Sequence, residues 1–334
     1  MATILVTGVA GFIGMHVAGR LLARGDKVIG IDNLNDYYDV RLKRSRLAAL
    51  EETHRDGFRF HQSDIADSRG LEAALASERL DSIVHLAAQA GVRHSIENPH
   101  AYVQSNLVGH LNIIEIARHR GVGHVVYASS SSVYGANETM PFSVSDRVDH
   151  PVSLYAATKK ADELMSEAYA HLYRIPQTGL RFFTVYGPWG RPDMAMWLFT
   201  DRILSGRPID IFNEGDMKRD FTFIDDIVAG VVACLDSPPV DDGRPKPGGS
   251  PGPHRIYNIG NNRAEPLLRL IEVLEDACGR KAERRLLPMQ PGDVKETYAD
   301  IDAIRSDLGY EPSTRIEDGV PRFVDWFRAY HGIG

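Results

Sequence analysis

The stretch Thr3-Ile4-Leu5-Val6-Thr7-Gly8-Val9-Ala10-Gly11-Phe12-Ile13-Gly14 constrains the fold more than any other part of the chain. A short apolar, β-branched run reads as a buried strand. Glycines at three-residue spacing then turn the chain into a helix with Val17, Leu21 and Leu22 on its apolar side. Strand, glycine turn and helix in this order make a phosphate site. Glycines let the backbone come close to a pyrophosphate, and the helix N-terminus offers unpaired N–H groups and the positive end of its dipole. The next strand, Lys27–Ile31, ends at Asp32, eighteen residues past Gly14. A carboxylate there can accept from both hydroxyls of an adenosine ribose and would repel a 2′-phosphate, which favours NAD over NADP.

Further strand–helix units follow in rhythm. Phe58–His61 leads to Asp64-Ile65, Ser82–Leu86 to Ala87-Ala88-Gln89-Ala90-Gly91, and His124–Ala128 to Ser129 through Gly135. Thr178–Phe183 reads as the last main strand. This alternation predicts an α/β fold, a Rossmann-type doubly wound parallel sheet, with the ligand across the carboxyl ends of its strands. From Thr184 the pattern loosens into short strands (Ile209–Phe212, Phe221–Ile224), short helices and turns. Asp236 to Pro253 reads as a surface loop, and Ile316–Tyr330 as an amphipathic helix. The division expected is 1–183 for an NAD-binding domain and 184–334 for a smaller mixed α/β substrate lobe, with some chain exchange between them.

Composition excludes several classes. A net charge of -7 argues against a nucleic-acid partner. Two cysteines are too few for a disulfide framework and fit a reducing, cytoplasmic compartment. No apolar run reaches the roughly 18 residues of a membrane span. His85, His94, His110 and His124 lack metal-ligand spacing, so no metal is expected. The basic run Arg41 to Arg46 reads as the solvated face of a helix.

Ser153-Leu154-Tyr155-Ala156-Ala157-Thr158-Lys159 opens a helix with Tyr155 and Lys159 four residues apart on one face. A phenol has a pKa of about 10. An ammonium beside it favours the phenolate and brings it into general-base range. Any Tyr-x-x-x-Lys could be an ordinary exposed pair, and the motifs around it decide otherwise.

Those motifs resemble the nucleotide-sugar epimerases of the extended short-chain dehydrogenase/reductase family over nearly the whole chain. They are Thr7-Gly8-x-x-Gly11-Phe12-Ile13-Gly14, Asp32-Asn33, Asp64-Ile65, His85-Leu86-Ala87-Ala88, Asn106, the serines before Val133-Tyr134-Gly135, Tyr155-x-x-x-Lys159 and Arg219-Asp220-Phe221. More local wording resembles the branch acting on UDP-glucuronate at C4: Ile31 through Asp39, Ala88 through Arg93, Phe182 through Pro192, and Met289 through Asp293.

The resemblance implies a tightly bound NAD that takes and returns the C4 hydride, with Tyr155 as acid/base, Lys159 on the nicotinamide ribose, and Ser130 and Ser132 at the reacting oxygen. It implies cofactor contacts from Gly8, Gly11, Phe12, Ile13, Gly14, Asp32, Asn33, Asn35, Asp64, Ile65, Leu86, Ala87, Ala88, Gln89, Asn106, Ser129 and Phe182, besides Tyr155 and Lys159. Substrate contacts are expected from Arg93, Ser130, Ser131, Ser132, Thr184, Arg191, Phe212, Arg219 and Asp293. Relatives that dehydrate or decarboxylate carry acids where Ser131 and Ser132 stand. Epimerases of neutral hexoses usually show Asn at the place of Thr184. With Arg191 as the partner of a carboxylate, the expected reaction is UDP-glucuronate to UDP-galacturonate through a 4-keto intermediate, in a homodimer. Left open are a surface ion pair for Arg191, a hairpin charge for Arg219 and a structural role for Arg93. A neutral-hexose 4-epimerase, a decarboxylase and a non-catalytic NAD sensor are the rival functions.

Overall fold

The computed structural model describes residues 1–289 and 294–334. Six strands appear in the first 182 residues: β1 (Thr3–Thr7), β2 (Lys27–Asp32), β3 (Phe58–Gln62), β4 (Ser82–His85), β5 (His124–Ser130) and β6 (Gln177–Phe182). The later strands are β7 (Thr184–Tyr186), β8 (Ile209–Phe212), β9 (Lys218–Phe223), β10 (His254–Ile259), β11 (Ala264–Pro266), β12 (Arg284–Leu287) and β13 (Glu296–Thr297). The main sheet is parallel, in the order β10-β6-β5-β4-β1-β2-β3. The chain winds one way from β1 to β3, then crosses back to β4 and winds the other way. The crevice at that switch point, outside the carboxyl ends of β1 and β4, is where ligands bind in such sheets.

The sheet is buried on both faces, as its almost continuous apolar strands require. In β1, Ile4 and Val6 join the core on one face while Leu5 joins a second cluster with Ile29, Ile83 and Val125 on the other. Helices Phe12–Ala23 and Ile224–Leu235 pack together over one face. Helices Gly109–Arg120 and Leu154–Tyr173 pack together over the other.

Two expectations are corrected. Thr178–Phe183 is not the last strand of the main sheet: β10, from the later half, pairs with β6 in register from His254↔Gln177 to Ile259↔Phe182. The core accordingly runs without a break from Val6 through Phe182 to Phe223, Val320 and Phe327. Nor is Arg41–Arg46 a solvated face. Helix Val40–Thr53 exposes Arg41 and Arg44 but buries Lys43 and Arg46, because backbone carbonyls from neighbouring loops converge on that side.

Beyond β6 the structure is a patchwork: β9 carries β11 and β13 on either side and also pairs β7, while β8 pairs β12. The helix Ile316–His331 closes it with Phe323, Val324 and Phe327 buried. Among the described residues no helix is long and apolar enough to cross a membrane, and no group of side chains could hold a metal ion. Cys234 and Cys278 are free and buried.

Candidate active site

A cavity of about 480 Å³ opens at the switch point. One end is the glycine turn. Gly8 sits at φ +70°, and a Cβ there would lie 2.7 Å from Ala87 N. A Cβ on Gly14 would overlap the Gly8 carbonyl. The turn is drawn onto β2 by Gly8 N donating to Ile31 O at 2.8 Å. Gly11 caps the helix Phe12–Ala23 without a side-chain bond, so the helix's first N–H groups face the cavity. Asp32 is buried, and its carboxylate accepts from Ala10 N (3.2 Å) and Leu34 N (2.9 Å). Burial pushes its carboxyl up from the usual range. A phosphate-sized gap held open by absent side chains, next to a fixed acceptor, fits a dinucleotide.

After Asp32 the loop folds on its own side chains. Asn33 Oδ1 accepts from Asn35 N at 3.0 Å and Asn35 Oδ1 from Tyr37 N at 3.4 Å, successive turns of the kind Asp and Asn favour. Lys43 Nζ donates to Asn35 O and Oδ1 at 2.8 and 2.7 Å. Thr7 Oγ1 bonds His85 Nδ1 at 2.7 Å and accepts from Ala87 N at 3.2 Å, which fixes the end of β4 against β1. Burial, then the Lys159 charge, pushes His85 down to about 3, so the ring is neutral.

Helix Leu154–Tyr173 begins at the cavity because Ser153 caps it, its Oγ accepting from Ala156 N at 3.1 Å. Tyr155 lies in the first turn and lines the cavity with Lys159, one turn on. Lys159 Nζ is buried and donates to Ala128 O (2.9 Å) and Asp162 Oδ2 (3.1 Å). Burial pushes the Asp162 carboxyl up, and Lys159 pulls it back only in part. At the end of β5, Ser130 Oγ accepts from Ser132 N and donates to Ser132 Oγ, both at 3.1 Å. Ser129 turns away, donating to Glu163 at 2.7 Å.

The later half supplies the opposite wall: Thr184 of β7, Arg191, Met194, Arg219 and Thr297. Arg191 is about a quarter exposed and holds Asp193 with Nε and Nη2 at 3.0 and 2.5 Å. Burial opposes its charge, and Asp193 more than restores it; Tyr155 lies close enough to add to that field. Arg219 Nη2 donates to Val294 O at 2.5 Å.

The cavity thus gathers Gly8, Gly11, Phe12, Ile13, Gly14, Asp32, Asn33, Asn35, Ile65, Leu86, Ala87, Ala88, Gln89, Ser129, Ser130, Ser131, Ser132, Tyr155, Lys159, Phe182, Thr184, Arg191 and Arg219. Among the described residues, four expected ones are not in its lining: Asp64, Asn106, Arg93 and Phe212. Asp64 is exposed at the rim and accepts from Asn33 Nδ2 at 2.9 Å. Asn106, in a π-helical turn, braces the loop after β4: its Oδ1 accepts from Gln89 N at 2.8 Å and its Nδ2 donates to Gln89 O at 3.1 Å. Arg93 lies over the Phe212 ring, 5.4 Å from its centroid. Asp293 lies outside the described residues. Tyr37, Tyr38, Lys43, Phe142, Met194 and Thr297 line the cavity without having been singled out. For the tyrosines the signal was available in the Asx-rich run before them.

A parallel sheet with a glycine cradle at its switch point, and a Tyr/Lys/Ser cluster facing it, defines a nucleotide-dependent enzyme of the short-chain dehydrogenase type. The chain belongs to the NAD dependent epimerase/dehydratase family, whose model matches residues 4–260. It is 53% identical over 334 residues to an uncharacterized 37.6 kDa protein of Escherichia coli O111:H-, covering 98% of this chain and 99% of that one. It is 48% identical over 329 residues to a probable UDP-glucuronate 4-epimerase of Rhizobium meliloti, covering 97% of this chain and 96% of that one. Among solved structures it is similar to the UDP-glucuronic acid 4-epimerase of Bacillus cereus in complex with UDP-glucuronic acid and NAD. The TM-score is 0.87, with 33% identity, covering 98% of this chain and 99% of that one.

Proposed function

We propose that this chain catalyses the reversible 4-epimerisation of UDP-glucuronate to UDP-galacturonate with a tightly held NAD. The observation that carries it is the convergence on one cavity of Tyr155, Lys159 and Ser130 from the sheet half with Thr184 and Arg191 from the later half. When bound, NAD accepts the C4 hydride and returns it to the other face of the sugar. Gly8, Gly11 and Gly14 would receive the pyrophosphate and Asp32 the adenosine ribose. Tyr155 takes the proton from the 4-hydroxyl and gives it back. Lys159, bonded to Asp162, stands one helical turn from Tyr155 and in this reading holds the nicotinamide ribose. Ser130 turns its one hydroxyl proton from Ser132 Oγ to the reacting oxygen when the sugar binds. Neither Ser131 nor Ser132 can protonate a leaving hydroxyl as an acid would, which disfavours dehydration.

The 4-keto sugar carries its C6 carboxylate β to the ketone and loses CO2 when the C5–C6 bond aligns with the carbonyl π-system. A planar guanidinium pairs a carboxylate in two places and fixes its plane. Arg191, with Thr184 lining the same cavity, has that part here, and Arg219 is assigned to the diphosphate. In the same proposal, residues 1–183 hold the cofactor and 184–334 the nucleotide sugar, with β10 exchanged into the sheet. Product analysis of UDP-glucuronate incubated with the purified protein tests the whole. UDP-galacturonate is the expected product; UDP-pentose with CO2 as the main products overturns it in favour of a decarboxylase. Turnover of UDP-glucose alone favours the neutral-hexose reading.

A homodimer is part of this proposal. Leu164 and Leu172 are 60% and 65% exposed on the helix Leu154–Tyr173, and Leu111 is 40% exposed on the neighbouring helix. Light scattering of Leu164→Glu should report a monomer where the unaltered protein gives a dimer. A cytoplasmic location goes with the two buried, free cysteines.

A further inference from the structure

Tyr37 and Arg46 belong to the sheet half, yet their polar atoms serve the opposite wall of the cavity, with the Tyr38 hydroxyl bonded to Arg46. Arg46 is fully buried, and among the described residues no carboxylate is bonded to it. Its Nη1 donates to Ala10 O at 2.9 Å, inside the glycine turn, and to the Tyr38 hydroxyl at 2.6 Å. Its Nη2 donates to Trp189 O at 2.6 Å and Gly190 O at 3.1 Å, the two residues that precede Arg191. Burying a guanidinium on carbonyl and hydroxyl dipoles is costly, and burial does lower its pKa. What the arrangement achieves is a rigid tie between the cofactor turn and the loop that carries Arg191.

The loop is fixed at a second point. Trp189 stands at φ +63°, a left-handed conformation that a bulky residue adopts only when its surroundings impose it. Its ring packs on Trp326 and Tyr330 at 5.3 and 5.6 Å. The Arg191 fork itself is held by Asp193, and Asp193 Oδ2 accepts from the Tyr37 hydroxyl at 3.1 Å. With Nε and Nη2 engaged by Asp193, the Nη1 edge of Arg191 is the edge this reading gives to the ligand.

We infer that Arg46 and Tyr37 are positioning residues: they orient the Arg191 guanidinium, and through it decide how often the 4-keto sugar returns to UDP-sugar rather than losing CO2. This rests on the reading of Arg191 as the carboxylate clamp. In the losing branch the C5–C6 bond breaks and its electron pair enters the C4 carbonyl as an enolate. CO2 leaves, and C5 then takes a proton from solvent. A guanidinium free to swing lets the carboxylate rotate toward the aligned geometry.

The test uses the NAD-loaded protein and UDP-glucuronate labelled at C6, with trapped CO2 and UDP-galacturonate both measured at initial rate. Their ratio is taken per turnover, so a variant that is merely less stable or partly unfolded leaves it unchanged. Tyr37→Phe removes one hydroxyl and is expected to raise the ratio about tenfold, the scale of one hydrogen bond to a charged group. Arg46→Lys keeps the charge, but one ammonium cannot span both loops, and a rise of about a hundredfold is expected from a displacement on the ångström scale. Arg191→Lys is the control. If it raises the ratio while Tyr37→Phe and Arg46→Lys leave it unchanged, the inference is overturned and the clamp stands. An unchanged ratio in all three variants removes the clamp as well.

Discussion

The two halves of this molecule build their share of the cavity by different means. In the sheet half, each strand–helix unit delivers its loop to the same edge, so residues within a few positions of a strand end become lining residues. Gly8, Gly11 to Gly14, Asp32, Asn33, Asn35, Leu86 to Gln89 and Ser129 to Ser132 all reach the cavity this way. In the later half the lining comes from residues far apart in the chain: Thr184, Arg191, Met194, Arg219 and Thr297. Short strands pairing around β9 bring them together. The first half presents a cofactor site by topology; the second depends on individual long-range bonds, and Arg46 is where the two meet.

The contrast can be broken most sharply at Tyr155. Tyr155→Phe should lower the rate of epimerisation by about a thousandfold, the scale of general acid–base catalysis, while bound NAD per chain is unchanged. Retention of more than a tenth of the rate would remove Tyr155 from the chemistry.

Gly8→Ala probes the cofactor side alone. The added methyl would meet Ala87 N at 2.7 Å, and φ +70° suits glycine. Strain of about 1–3 kcal/mol predicts NAD retention some ten- to a hundredfold weaker, measured by release of NAD on dilution. Equal retention would mean that the turn adapts, and that the sheet half is less exactingly built than the comparison supposes.

A test of stability rather than activity lies in the later half. Asp220 is buried, and it accepts from Asn261 N (2.6 Å), Ala299 N (3.1 Å) and Thr222 Oγ1 (2.9 Å). Burial, against these bonds, pushes its carboxyl up to about 6 from 3.8. A raised folded-state pKa gives stability that is full below about pH 4 and is lost as pH rises through 6. Relative to Asp220→Asn, the unaltered protein should therefore lose up to about 3 kcal/mol between pH 4 and 7.5, at 1.36 kcal/mol per unit. Denaturant unfolding at several pH values checks it; a difference between the two proteins that is independent of pH refutes the assignment.

Sequence reading succeeded where chemistry is written locally. The glycine spacing needs a turn against a strand, the Asp and Asn residues after β2 bond their own backbone, and Ser153 caps the helix that sets Tyr155 and Lys159 one turn apart. The fold class follows from the same alternation. Reading failed at Lys43 and Arg46, because helical periodicity and charge say nothing of a carbonyl folded back from the preceding loop onto Lys43, or of carbonyls reaching Arg46 from residues 143 and 144 positions away. It failed for β10, since a strand's place in a sheet depends on the crossover that returns the chain to it. By itself, then, the sequence determined the Rossmann sheet, the cradle and the Tyr/Lys pair, all products of short-range backbone geometry. Only the tertiary structure decided which basic residues are buried, which face the ligand, and how the Arg191 loop is held, because those follow from hydrogen bonds between segments far apart in the chain.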